Sequence, residues 1–103
     1  MESLTIVLVT CPDEEVAKNI ARPIIEQRLA ACVNIIPKIS SIYRWKGKIC
    51  EEGECLLLIK VGESKLQALE KEIMARHPYE LPEFVVIRPI TVAAKYLAWA
   101  LES

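Results

Sequence analysis

Leu4 to Thr10 is a run of β-branched and apolar residues that reads as a strand, closed by Cys11 and Pro12. Beyond it the spacing changes. Asp13 stands where a helix N-cap would, Glu14 and Glu15 occupy the first turn, and Val16, Ile20 and Ile24 then recur every fourth residue. Ala17, Ala21 and Ile25 widen this face, which runs on towards Leu29. Pro23 falls inside it and cannot donate to the Asn19 carbonyl, at a cost of roughly 3 kcal/mol unless packing compensates, so the spacing predicts one bent helix.

Cys32 to Trp45 is strand-like again, with Pro37 demanding an edge position or a bulge. Lys46-Gly47-Lys48 turns the chain. Ile49, then Glu54 to Val61, return as the partner strand of a long hairpin, with the acidic run Glu51-Glu52-Gly53-Glu54 bending it. Ser64 and Gln67 have the spacing of a capping box for a second helix, whose Leu66, Leu69 and Ile73 share one face. Arg76, His77 and Pro78 end it. Phe84 to Ile90 reads as a last strand, and Val92, Tyr96, Leu97, Trp99 and Leu101 as a short closing helix.

The order β-α-β-β-α-β plus a terminal helix is the split βαβ pattern of an α+β, ferredoxin-like fold, and 103 residues make it a single domain over 1–103. The strands are apolar on both alternating faces: Ile6 and Leu8 as well as Val7 and Val9, and likewise Leu56 to Ile59 and Phe84 to Ile87. A sheet apolar on both faces must be covered on both. In this topology the two main helices lie on one face and the third is short, so further copies of the chain are expected to cover the rest in a closed homo-oligomer. A hydrophobic share of 52% against 26% charged points the same way.

A formal net charge of −1 gives no general attraction to phosphate backbones or anionic lipid, so no nucleic-acid or membrane partner is expected. Tyr43 and Trp45 with Arg44, Lys46 and Lys48 read better as a contact between subunits than as a nucleic-acid patch, because the sheet lacks stacked aromatics. The start of the chain is acidic and its apolar run is short, so the expectation is a cytoplasmic protein whose four cysteines stay reduced.

Phosphate loops, GxSxG, HExxH and paired CxxC motifs are absent from the sequence, and no catalytic role is expected. His77, the only histidine, precedes a proline at a helix C-terminus, where it either ends the helix or offers imidazole to a borderline or soft metal beside a second donor. Cys11 closes the first strand and Cys32 opens the second, at opposite ends of the fold. Cys50 and Cys55 flank the acidic bend and form a second candidate metal pair if they face each other across it.

The segments RLAACVNIIPKISSIYRWKGKI (28–49), VTCPDEEVA, HPYELPE and the ending YLAWALE resemble the CutA family of divalent-cation tolerance proteins over nearly the whole chain. The resemblance implies a ferredoxin-like subunit, a packed homotrimer in which the long hairpin extends neighbouring strands, copper binding, and a shape like that of PII signalling proteins. Family copper sites place a cysteine late in the first strand and histidines before the Pro-Tyr motif. His77 matches the second of those histidines, Arg76 stands at the first and Val9 at the cysteine, while Cys11 lies two residues on and on the same strand face. His77 and Cys11 are thus the candidate copper ligands. An alternative reading is a PII-like module that takes a small effector or partner protein in clefts between subunits, with Arg28, Lys60 and Tyr79 as candidate cleft residues.

Overall fold

The computed structural model describes residues 2–103. The strand Leu4–Cys11 (β1) leads to the helix Glu14–Glu26 (α1), where Asp13 caps as its spacing predicts: its Oδ1 accepts the Val16 N–H at 2.8 Å. Pro23 leaves this helix in one piece. The Asn19 carbonyl that loses its donor is on an exposed residue. Arg28 ends the helix in the left-handed region (φ 59°), and Leu29 N–H returns to the Ile24 carbonyl at 2.9 Å.

The strands Cys32–Trp45 (β2) and Lys48–Gly62 (β3) form a long hairpin closed by Lys46 and Gly47, both at positive φ, as a two-residue turn with the right twist requires. The acidic run does not interrupt β3. Glu51, Glu52, Gly53 and Glu54 pair in register with Ile42, Ser41, Ser40 and Ile39, because exposed side chains on a hairpin do not interrupt its ladder. The irregularity lies across the sheet, where β2 carries an extra residue between Ile36 and Ile39. Pro37 has no N–H to give, and β2 is an edge strand with a bulge at that point.

The helix Leu66–Arg76 (α2) follows a single 3-10 turn, Glu63–Lys65. Its start corrects the capping-box expectation: Ser64 instead meets Glu2, whose carboxylate accepts both the Ser64 N–H (3.0 Å) and hydroxyl (2.9 Å). A distant residue has taken the local cap. The last strand shrinks to Val85–Ile87 (β4), since Arg88 and Pro89 leave the ladder, and the closing helix is Ala94–Glu102 (α3).

The sheet order is β2-β3-β1-β4 with all neighbours antiparallel, the ferredoxin-like arrangement. Val7, Val9, Leu57, Ile59 and Val61 on one face pack against Ala17, Ile20 and Ile24 of α1 and Leu69 and Ile73 of α2 as the buried core. On the other face α3 covers only the end near Gly62, where an added Cβ would meet Leu101 at 3.2 Å. Ile6, Leu8, Leu56 and Leu58 are left half-covered. The described residues span 45 × 27 × 22 Å, and Ile42 and Ile49 of the hairpin are 69% and 71% exposed.

Candidate functional site

Pro78 holds His77 in an extended conformation (φ −76°, ψ 135°), so α2 stops there and the chain turns back towards the end of β1. His77 is only 8% exposed, and both ring nitrogens are engaged. Nε2 lies 2.7 Å from the Thr10 carbonyl oxygen, which can only accept, and Nδ1 lies 3.1 Å from the Tyr79 N–H, which can only donate. These partners fix the neutral tautomer with its proton on Nε2. The Tyr79 ring tilts against the imidazole at 4.7 Å, and its hydroxyl donates to Glu54 Oε2 at 2.6 Å.

Glu54 sits on β3 beside the bulge, 9% exposed. Burial, then the Glu54 carboxylate that accepts its hydroxyl, pushes the Tyr79 phenol well above its usual range. Burial likewise raises the Glu83 carboxyl, with Glu54 adding to it. The result is a chain of satisfied groups, Thr10–His77–Tyr79–Glu54, tying the loop after α2 to β1 and β3.

Cys11 faces the helix-covered core, directly opposite Cys55 in the β1–β3 register. Burial, and then the neighbouring Cys55, pushes the Cys11 thiol up to about 12, while burial raises that of Cys55. His77 thus meets the backbone of β1 one residue before Cys11 but spends both nitrogens on backbone groups. Among the described residues, no three or more His, Cys, Asp or Glu side chains come together to hold a metal. As a copper site of several ligands within one subunit, His77 and Cys11 do not fit.

Cys50 and Cys55 are not a pair across a bend. On the continuous strand they stand five residues, roughly 16 Å, apart and on opposite faces, with Cys50 beside Tyr43 near the hairpin tip. Cys32 lies opposite Lys60 at the far end of the sheet. Lys60 Nζ donates to Asn34 Oδ1, and the Arg28 carbonyl accepts from Lys65 Nζ at 2.7 Å. Lys60 and Tyr79's partner Glu54 are six residues apart along β3, so one subunit does not bring Tyr79 together with Lys60. Two features escaped the sequence reading: Glu54 as Tyr79's acceptor, and Cys55 as Cys11's neighbour. The second carried a signal, because the alternation Val7, Val9 and Val61, Ile59, Leu57 extends by two residues to Cys11 and Cys55.

Fold and site together define a small ferredoxin-like domain with one sheet face half-covered, an exposed apolar hairpin, and a closed polar network at the end of β1. Comparison with known proteins carries this further. A family model described as CutA1 divalent ion tolerance protein matches residues 5–103, and the chain belongs to that family. It is 45% identical over 98 residues to the divalent-cation tolerance protein CutA of Thermus thermophilus, with 95% of each chain covered. It is 48% identical over 97 residues to Protein CutA of Mus musculus, covering 94% of this chain and 55% of that one; the chain spans about half the length of such mammalian relatives. The solved Cut A1 structure from Thermus thermophilus superposes with a TM-score of 0.93 at 44% identity over 96% of each chain. A PII-like protein CutA from Nostoc sp. PCC 7120, in apo form, gives 0.88 at 38% identity over 95% of this chain and 94% of that one. Among the described residues no helix is long and apolar enough to cross a membrane.

Proposed function

We propose that the chain acts without catalysis, as a homotrimer, in tolerance of divalent cations such as copper. The observation that carries this reading is the half-covered second sheet face together with the exposed Ile42 and Ile49 of the hairpin, in a family whose members are named for divalent ion tolerance. Burying that apolar surface at roughly 25 cal/mol per Å² drives association of like subunits. Three hairpins laid on neighbouring sheets close such an assembly without leaving an open edge. The closed network around His77 and Tyr79 supports the non-catalytic part: its polar groups are spent on one another.

Light scattering at micromolar protein gives a mass three times that of the chain, and Ile42→Lys with Leu58→Lys lowers it, since a buried unpaired charge costs several kcal/mol. A monomer mass for the unmodified chain would end the reading. A second reading, a PII-like module with an effector in the clefts between subunits, is favoured by the likeness to the PII-like Nostoc protein. An effector screen by thermal shift separates the two, because a ligand of the folded trimer raises its melting temperature.

A further inference from the structure

We propose that Cys32 and Lys60 form a redox-responsive covalent pair, in which Cys32, once oxidised by a peroxide, is captured by the Lys60 amine as a sulfur–nitrogen cross-link between β2 and β3. The register sets the two residues directly opposite one another at the start of β2, where the Ala31 N–H donates to the Lys60 carbonyl at 2.9 Å. Opposed residues of an antiparallel pair carry their side chains on one face, with Cα atoms about 4.5–5.5 Å apart. That face is the half-covered one, because Val33 and Ile35 on the other side pack against the core. Asn34 shares it, and its Oδ1 accepts from both groups, from Cys32 Sγ at 3.9 Å and from Lys60 Nζ. Sulfur and amine nitrogen thus lie around a single oxygen atom. Among the described residues Lys60 has no carboxylate partner to hold its nitrogen away.

Position separates Cys32 from the other three thiols. Cysteine oxidation follows access and thiolate character. Cys11 and Cys55 are closed off in the core, and burial pushes both thiols up. Cys32 and Cys50 are half-buried and free, but Cys50 stands opposite Tyr43, so of the four Cys32 alone has an amine directly across from it. The reaction runs in two steps. Hydrogen peroxide and the thiol give sulfenic acid and water, the sulfur losing the two electrons that the peroxide gains. The Lys60 nitrogen then attacks the sulfur: the S–N bond forms, the S–O bond breaks, and the sulfenic acid and ammonium together yield the sulfenamide, one water and one proton. Sulfenic acids condense with backbone nitrogen in the same way. The link takes the positive charge of Lys60 off the half-covered face and stops Cys32 short of irreversible sulfinic acid. Two equivalents of a thiol reductant return the cysteine and the lysine and leave as a disulfide.

The pair goes beyond the cation-tolerance reading and stands independently of it. The test treats the reduced full chain with a small excess of hydrogen peroxide. Intact mass shows the loss of two hydrogens, digestion without reductant joins the peptides that hold Cys32 and Lys60, and dithiothreitol restores the original mass. A disulfide loses the same two hydrogens, so the variant Cys11→Ala/Cys50→Ala/Cys55→Ala, with Cys32 its one thiol, is treated alongside and gives the same loss without doubling of its mass. Should that variant fail to fold, the peptide map of the parent decides alone. Lys60→Arg keeps the charge and removes the nucleophile: the link is lost, and labelling of Cys32 by a cyclic dione that traps sulfenic acids rises several-fold, with a native circular dichroism spectrum. Cys32→Ser neither links nor labels at that position. A cross-link that persists in Lys60→Arg, equal dione labelling of Cys32 in the parent and Lys60→Arg, a product that dithiothreitol does not reverse, or a loss confined to a disulfide with Cys32 still a free thiol overturns the pair.

Discussion

Replacing His77 by alanine tests whether the imidazole holds the fold together or waits for a ligand. The ring is 8% exposed and serves two backbone groups at once, Thr10 C=O at 2.7 Å and Tyr79 N–H at 3.1 Å. Its removal leaves an acceptor and a donor without partners at the rim of the core, and each such group costs about 1–3 kcal/mol. The rim admits some water, which brings each to the low end, while the vacated ring volume and the lost contact with Tyr79 add a cavity cost of the same order. The expected loss is about 2–4 kcal/mol. Urea unfolding at one fixed protein concentration measures it, because the stability of an assembly shifts with concentration. A lower midpoint at unchanged slope is the expected signature. His77→Gln, which can still donate to the Thr10 carbonyl, recovers part of the loss. A change below about 1 kcal/mol for His77→Ala would refute the reasoning, since the ring would then be dispensable to the loop it anchors.

Tyr79→Phe strips Glu54 of its 2.6 Å donor and costs about 1–2 kcal/mol at neutral pH by the same measurement. Tyr79 also gives the parent an alkaline signature: its phenol ionises less readily folded than unfolded, so its contribution is complete below pH about 10 and fades as pH rises beyond it. The phenylalanine variant loses that part of the slope, and an unchanged alkaline limb would count against the Tyr79–Glu54 bond. Cys11 acts in the same sense, its stabilising contribution falling as pH climbs from 9.0 through about 12, so Cys11→Ala flattens the curve there in stability measured against pH. Pro23→Ala restores a donor for Asn19 and leaves unfolding free energy unchanged or higher; a loss above about 2 kcal/mol would show that the ring is needed against its neighbours.

The sequence by itself determined the order of elements and the need to cover both sheet faces through its hydrophobic spacing, the bounds of β2 at Cys32 and Trp45, the cap through Asp13, and through Pro37 an edge position or a bulge. Those features depend on neighbours in the chain or on period-2 alternation, which a linear reading contains. What escaped it depends on pairs far apart in sequence. Ser64 is met by Glu2, 62 residues away, in place of Gln67. The acidic run stays in the ladder because β2 lies alongside it, while the extra residue sits on the partner strand. At the site, the sequence singled out His77 and Cys11 and described their local setting correctly. Only the tertiary structure decided what they touch, since a hydrogen bond spanning 67 residues and a cross-strand register are set by how the whole sheet closes. That closure turned the His77 Nε2 towards the β1 backbone and set Cys55, not the imidazole, opposite Cys11.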